Sequence, residues 1–154
     1  MRLKRLGAED ETALRSLFEA NDRPSVTRYF DPFPLDAETA RRLAHRSGRD
    51  LYWGIWEGPE LVGLAMVRGW DAGYPQRSDG LLVDHGHHGR GIATEATRLM
   101  LAELRRAGED LVRARVHDTN VGSLRMLELN GFVEIERGEG RVLLERRLGA
   151  ESPS

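Results

Sequence analysis

Leu81-Leu82-Val83-Asp84-His85-Gly86-His87-His88-Gly89-Arg90-Gly91-Ile92-Ala93-Thr94 is the stretch that decides the fold. Three apolar residues end a strand, a turn of glycine and histidine follows, and a helix begins. Ile92, Ala96, Leu99, Met100 and Leu104 recur at the spacing of a helix face, which predicts a helix from about Gly91 to Ala107. The first N–H groups of such a helix have no acceptor within it, and the helix dipole adds partial positive charge there. Together they form a site for an anion, typically a phosphate. Gly89 and Gly91 let the backbone adopt left-handed conformations and approach a ligand closely. Ala93 is small, Thr94 offers a hydroxyl and Arg90 a charge. The turn is not a P-loop, because no lysine follows its glycines. Nor is it a dinucleotide fingerprint: the spacing is Gly89-x-Gly91-x-Ala93, and it comes in mid-chain after a hairpin.

Reading outward toward the N-terminus, Leu3 to Leu6 forms a short strand. Ala8 to Ala20 forms a helix through Leu14, Leu17 and Phe18. Asn21 to Pro34 reads as a structured loop. Asp36 caps a helix that runs to about Ser47 and is ended by Gly48. Asp50 to Glu57 and Leu61 to Trp70 are two strands of a hairpin about Glu57-Gly58-Pro59-Glu60. Toward the C-terminus, Val112 to His117 is a strand, and Asn120 to Asn130 is a helix capped by Asn130-Gly131. Val133 to Glu136 and Arg141 to Arg147 form a last hairpin around Gly138-Glu139-Gly140. The order β-α-α-β-β-β-α-β-α-β-β predicts a single α/β domain over residues 1–148, a mixed sheet with helices on both faces. Residues 149–154 read as a disordered tail.

Composition excludes several classes. The 154 residues suffice for one core. A formal charge of −2 argues against a nucleic-acid partner. The absence of cysteine excludes disulfides, thiolate metal ligands and any enzyme thioester. No apolar run is long enough for a membrane helix. Met1 to Leu6 turns acidic at Glu9 and Asp10 and has no signal-peptide character, so a cytoplasmic protein is expected. Asp84, His85, His87 and His88, with His117, have metal-ligand chemistry. Histidines clustered in a phosphate-binding turn read instead as polar surface residues, and no metal is expected.

His88-Gly89-Arg90-Gly91-Ile92-Ala93 resembles the pyrophosphate motif Gln/Arg-x-x-Gly-x-Gly/Ala of the GNAT superfamily of N-acetyltransferases. Asn120-Val121-Gly122-Ser123, leading to Asn130-Gly131-Phe132, is similar to that family's second signature, Asn-x-x-Ala/Ser before a Gly-Phe helix end. The resemblance covers Arg2 to Leu148 and implies a mostly antiparallel sheet with acetyl-coenzyme A as co-substrate. Its pyrophosphate would lie on the turn His88 to Thr94, with Arg90 and Ile92 included. Its pantetheine arm would lie along Leu81, Leu82 and Val83, with Asn120 and Ser123 opposite. The acetyl group would pass directly to an amine in a ternary complex. Two departures stand out. His88 replaces Gln or Arg, and Leu127 stands where many members carry the tyrosine that protonates the departing thiolate. The Asn-x-x-Ser pattern, shared with ribosomal-protein acetyltransferases, makes Ser123 the candidate acid. Asp79 is the first candidate base, before His117 and Asp118.

The aromatic stretches Tyr29 to Pro34 and Arg68 to Tyr74 suggest an acceptor pocket of Tyr29, Phe33, Trp70, Asp71 and Tyr74 with His117. The expected acceptor is a small-molecule amine such as an amino sugar. The rival readings are acetylation of a protein N-terminus or side chain, a non-catalytic coenzyme-A-binding module, and a nucleotide- or metal-binding protein with a coincidental motif. The resemblance also implies a possible homodimer.

Overall fold

The computed structural model describes residues 1–149. Its strands are β1 (Arg2–Arg5), β2 (Leu51–Glu57), β3 (Glu60–Arg68), β4 (Ser78–Val83), β5 (Leu111–His117), β6 (Val133–Gly138) and β7 (Arg141–Arg147). They form one sheet in the order β1-β2-β3-β4-β5-β7-β6. Every neighbouring pair is antiparallel except β4 and β5. Those two run parallel and share a single register pair, Ser78 with Arg113.

The helices are α1 (Glu11–Asn21), α2 (Pro24–Thr27), α3 (Ala37–Ala44), α4 (Ile92–Arg106) and α5 (Val121–Leu129). They cover both faces of the sheet. Leu14, Phe18, Val26 and Leu43 from α1, α2 and α3 pack with Leu64, Met66 and Leu82 on one face. Ile92, Met100 and Leu104 of α4 and Leu127 of α5 pack with Trp53, Val67, Val112 and Leu144 on the other. A strand covered on both faces loses the polar alternation of a half-exposed one. This is why Leu61 to Val67 reads as an unbroken apolar run and is buried throughout. The Trp53 indole N–H donates to Glu103 Oε2 at 2.8 Å and ties β2 to α4.

Differences from the sequence expectation have local causes. The stretch Asn21 to Pro34 contains a helical turn, α2, opened by Pro24, whose fixed φ suits a first helical position. Helix α3 starts where Asp36 accepts a hydrogen bond from Thr39 N at 2.8 Å. It stops at Ala44 rather than Ser47, and the chain then turns toward β2 through Gly48, at φ +126°. Of the expected tail, all but Gly149 lies outside the described residues.

Burial sets the energetic ranking. Leu104 is 1% exposed and Leu129 is 65% exposed. Leu104→Ala should cost about 2–5 kcal/mol in urea unfolding, and Leu129→Ala within about 0.5 kcal/mol. Equal losses would contradict this placement of the core.

Candidate active site

After Ser78 and Arg113, β4 and β5 part, and a cavity of about 850 Å³ fills the space between them. Its lining comes from both faces of the sheet. Leu81, Val83, Val116, Ser123, Met126 and Leu127 lie on the α4/α5 side. Val26, Phe30, Met66, Leu82 and Arg68 lie on the α1/α3 side. The cavity therefore passes through the sheet. Asp84 N donates to Val62 O across β3 at 2.8 Å. By strand alternation the N–H groups of Leu81 and Val83 then face the gap, where no strand meets them.

One mouth of the cavity is the glycine turn. Gly89 (φ +80°) and Gly91 (φ +73°) both take left-handed conformations. A Cβ on either would meet no atom within 4 Å, so backbone conformation rather than crowding requires glycine there. Gly91 is the N-cap of α4 and supplies no side-chain acceptor, so the N–H groups of Ile92, Ala93 and Thr94 are left without a partner among the described residues. All three residues line the cavity, with His88, Gly89 and Gly91; Arg90 is exposed beside the turn but does not line it.

The turn is held from below by a fully buried side chain, Asn21 at the end of α1. Asn21 Oδ1 accepts from His85 N at 2.9 Å, and its Nδ2 donates to Asp84 Oδ1 and Leu17 O, both at 2.8 Å. Asp84 Oδ2 accepts from Gly86 N and pairs with His87 Nδ1 at 2.8 Å. Partial burial pushes the Asp84 carboxyl up, but its hydrogen bonds from Asn21, His87 and Gly86 prevail and hold it below the usual range. His88 Nε2 lies 3.0 Å from Val83 O, so it closes the free carbonyl at the end of β4. His85 instead meets the Arg23 guanidinium, whose Nη1 lies 2.9 Å from the ring Nδ1. Among the described residues no group of three or more His, Cys, Asp or Glu could hold a metal ion. Nor is any helix among the described residues long and apolar enough to cross a membrane.

In the gap, Asp79 lines the cavity and has no hydrogen-bond or ion-pair partner among the described residues. The residue is partly exposed by area. That exposed part faces the cavity, and burial pushes the carboxyl up to about 7. Ser123 lines the opposite wall on the first turn of α5. Asn120 caps that helix, its Oδ1 accepting from Ser123 N at 3.3 Å, so part of the Asn-x-x-Ser signature is a helix-capping device. Its Nδ2 stays available to the cavity, which Asn120 also lines. Leu127 is 1% exposed and presents only alkyl surface there.

The α1/α3 mouth is framed by the loop after α2. Tyr29 lines it, its hydroxyl 3.2 Å from Thr119 O. Asp31 accepts from Arg141 at 2.9 Å and lies 3.3 Å from His117 Nε2. Partial burial raises the Asp31 carboxyl, yet the hydrogen bonds from Arg141 and His117 outweigh it and bring it below the ordinary value. These contacts pin the loop across the ends of β5 and β7. The other expected acceptor residues stand elsewhere. His117 lies behind the wall, stacked near Tyr29 and bonded to Asp31. Phe33 packs in the core against Phe18 and Phe30, the latter lining the cavity in its place. Trp70 lies between the guanidinium groups of Arg49 and Arg77. Asp71 accepts from the backbone N–H of Arg49 and Asp50, and Tyr74 is exposed. The cavity instead gathers Arg68, Arg115 and Arg141, which the sequence reading did not single out. The signal for Arg115 was present in β5, where Arg113, Arg115 and His117 alternate with Val112, Ala114 and Val116.

A family model described as an acetyltransferase (GNAT) domain matches residues 1–133. No curated protein is a significant match. Among solved structures, the GNAT domain of S. lividans PAT superposes with a TM-score of 0.81 at 22% identity, covering 95% of this chain and 89% of that one. RimL, a ribosomal L7/L12 alpha-N-protein acetyltransferase in complex with coenzyme A, gives 0.80 at 16% identity, covering 97% and 96%. The ribosomal-protein-S5-alanine acetyltransferase from Vibrio fischeri gives 0.80 at 15%, covering 98% and 94%. At these identities the structural likeness is one of fold.

The environment of Asp79 has a consequence for stability. Unfolded, the carboxyl ionises near 3.8, and folded it keeps its proton to about 7. Between those values unfolding releases a proton, so this group lowers stability as pH rises from about 4 to about 7, and no further above. Asp79→Asn cannot ionise. It should melt at a higher temperature than wild type at pH 8, and the difference should shrink toward pH 4. A difference independent of pH would contradict an unpaired, enclosed carboxyl.

Proposed function

The chain belongs to the GNAT acetyltransferase family, and from that premise we propose that it moves an acetyl group from acetyl-coenzyme A directly onto the primary amine of a small molecule, with both substrates bound at once. Membership makes it an acyl-coenzyme-A-dependent N-acetyltransferase with acetyl-coenzyme A as co-substrate. The observation that carries the finer reading is the single cavity through the sheet. A helix terminus with free N–H groups, suited to a phosphate, lies at one mouth, and a chamber bordered by a pinned loop lies at the other.

The residues fit the donor substrate. The free N–H groups of Ile92, Ala93 and Thr94, with the backbone of Gly89 and Gly91, suit a pyrophosphate. The unpartnered edge of Leu81 and Val83 suits the amides of a pantetheine arm, which would add to β4 as a strand does. His88 occupies the Val83 carbonyl, so donor contacts at that residue fall to its N–H.

An alkylammonium has a pKa near about 10 and must lose a proton to attack. Asp79, at about 7 and without a partner, is the group in the cavity suited to take it. The amine nitrogen then attacks the thioester carbonyl carbon. The gap-facing N–H of Leu81, two residues from Asp79 on β4, is suited to stabilise the charge on oxygen. As the C–N bond stays and the C–S bond breaks, the thiolate leaves and takes a proton. Leu127 has none to give, and the Ser123 hydroxyl is the donor proposed; it regains a proton from the one the nitrogen sheds as the amide forms. Holding both substrates in one enclosed channel supplies much of the rate.

A protein N-terminus is the second reading, supported by the Asn120-x-x-Ser123 pattern and by the acceptors named for RimL and the Vibrio fischeri enzyme. The bonds from Tyr29 and Asp31 across the chamber favour the smaller acceptor. The amino-sugar reading retains Tyr29 and Phe30 as ring surfaces, whereas Trp70 and Tyr74 do not line the chamber.

Two measurements test the reading. Calorimetric titration should show micromolar binding of acetyl-coenzyme A that Gly91→Trp abolishes while the variant remains folded by circular dichroism; undiminished binding would move the site elsewhere. For an accepted amine, kcat/KM should rise with pH through about 7, and Asp79→Asn should remove that limb and lower the rate about 10²- to 10⁴-fold. A variant retaining both the limb and the rate would exclude Asp79 as the base.

A further inference from the structure

The charged groups of the chamber on the α1/α3 side are unequally matched. Its lining includes Arg68, Arg115 and Arg141 against one acid on that face, Asp31. Arg141 is committed to Asp31 at 2.9 Å, and His117 approaches the same oxygen. Nearby Arg113 is committed to Glu145 at 3.1 Å. Arg68 and Arg115 have no carboxylate partner among the described residues. The guanidinium of Arg68 lies over the Phe33 ring, 5.8 Å from its centroid, and hydrogen-bonds the neutral Tyr52 hydroxyl; Arg115 makes no hydrogen bond or ion pair among the described residues.

Sheet register brings these two side chains to one place. Arg68 pairs with Ser78, and Ser78 with Arg113, so the three form a row on the α1/α3 face. Arg115 follows two residues after Arg113 on the same face, where β5 has already left β4. Between the two arginines the floor is Ser78 and Gly80. A Cβ on Gly80 would lie 2.6 Å from the Met66 methyl, which keeps the floor low. Asp79, between them in sequence, points through the gap to the opposite face, beside Leu81 and Val83. The chamber thus offers, on one side of the gap, two guanidinium groups with no carboxylate partner among the described residues, and a proton acceptor on the other.

We propose that the acceptor amine also carries an anionic group, a carboxylate or a phosphate, received by Arg115 and Arg68 while its nitrogen is directed toward Asp79. This rests on the acyl-transfer reading above. An arginine fork matches either anion in two parallel hydrogen bonds. A zwitterion laid this way is oriented at both ends. An acceptor with only positive charge meets two guanidinium groups and no free carboxylate on that face.

The test uses the purified protein, acetyl-coenzyme A and matched acceptors, followed by release of free thiol. Amino acids are compared with their amides, and an amino sugar phosphate with the free amino sugar. The anionic member of at least one pair should be favoured about tenfold or more in kcat/KM, mainly through KM. Which pair shows the preference tells carboxylate from phosphate. Arg115→Gln and Arg68→Gln should each reduce that preference severalfold, and Arg106→Gln, on the exposed end of α4, should leave it intact. Neutral acceptors used as well as anionic ones, or a preference that survives both substitutions, would overturn the proposal alone. Acetylation of peptide N-termini without any small amine would overturn it together with the small-molecule acceptor, leaving acetyl transfer itself intact. Acetyl-coenzyme A binding with no acetylation of any amine would overturn the transfer reading and this proposal with it.

Discussion

The parting of β4 and β5 is the constraint on which the rest of the structure depends. A parallel pair between two antiparallel halves is hydrogen-bonded at one register position and then opens. The opening leaves backbone N–H and C=O groups of β4 unsatisfied inside a cavity, which in a folded protein demands a partner. His88 supplies one for the Val83 carbonyl. The remaining edge is what a pantetheine-like chain of amides would complete. The same opening lets one cavity reach both faces, so in the proposed reaction the two substrates would arrive from opposite sides and meet at Asp79 and Ser123.

The opening works only if the glycine turn stands at a fixed height above it. That is the role of Asn21, which is far away in sequence and is fully buried. It joins the end of α1 to Asp84 and His85 through two hydrogen bonds, with a third back to Leu17 O of its own helix, and Asp84 passes the constraint on to Gly86 and His87. A buried amide with its partners satisfied specifies one arrangement, because any other leaves polar atoms unpaired. The histidines that suggest a metal in the sequence are thereby accounted for. His87 belongs to the turn's bracing, His88 to the strand end and His85 to Arg23.

Local patterns carried most of the fold. The glycine turn, the α4 face, the Asp36 and Asn120 caps and both hairpins are short-range signals, and the structure has them near the expected residues. The acceptor side was less legible. Aromatic and acidic residues in Arg68 to Tyr74 have pocket chemistry. Yet Trp70 and Asp71 serve the chain at Arg49 and Asp50, about twenty residues earlier, and only the tertiary fold reveals that pairing. Arg115 was hidden for the opposite reason. In an arginine-rich chain one more arginine carries no signal until the alternation of β5 assigns it a face and the register with β4 shows which one.

The central claim is that acetyl-coenzyme A lies in the β4–β5 gap with its pyrophosphate on the α4 terminus. Amide hydrogen exchange, residue by residue, with and without the ligand, tests it most directly. The account predicts new protection at Gly89, Gly91, Ile92, Ala93 and Thr94 and at the gap-facing amides of Leu81 and Val83, with little change in β1 and β2. Protection confined to other segments, with those amides still exchanging freely in the bound protein, would contradict it.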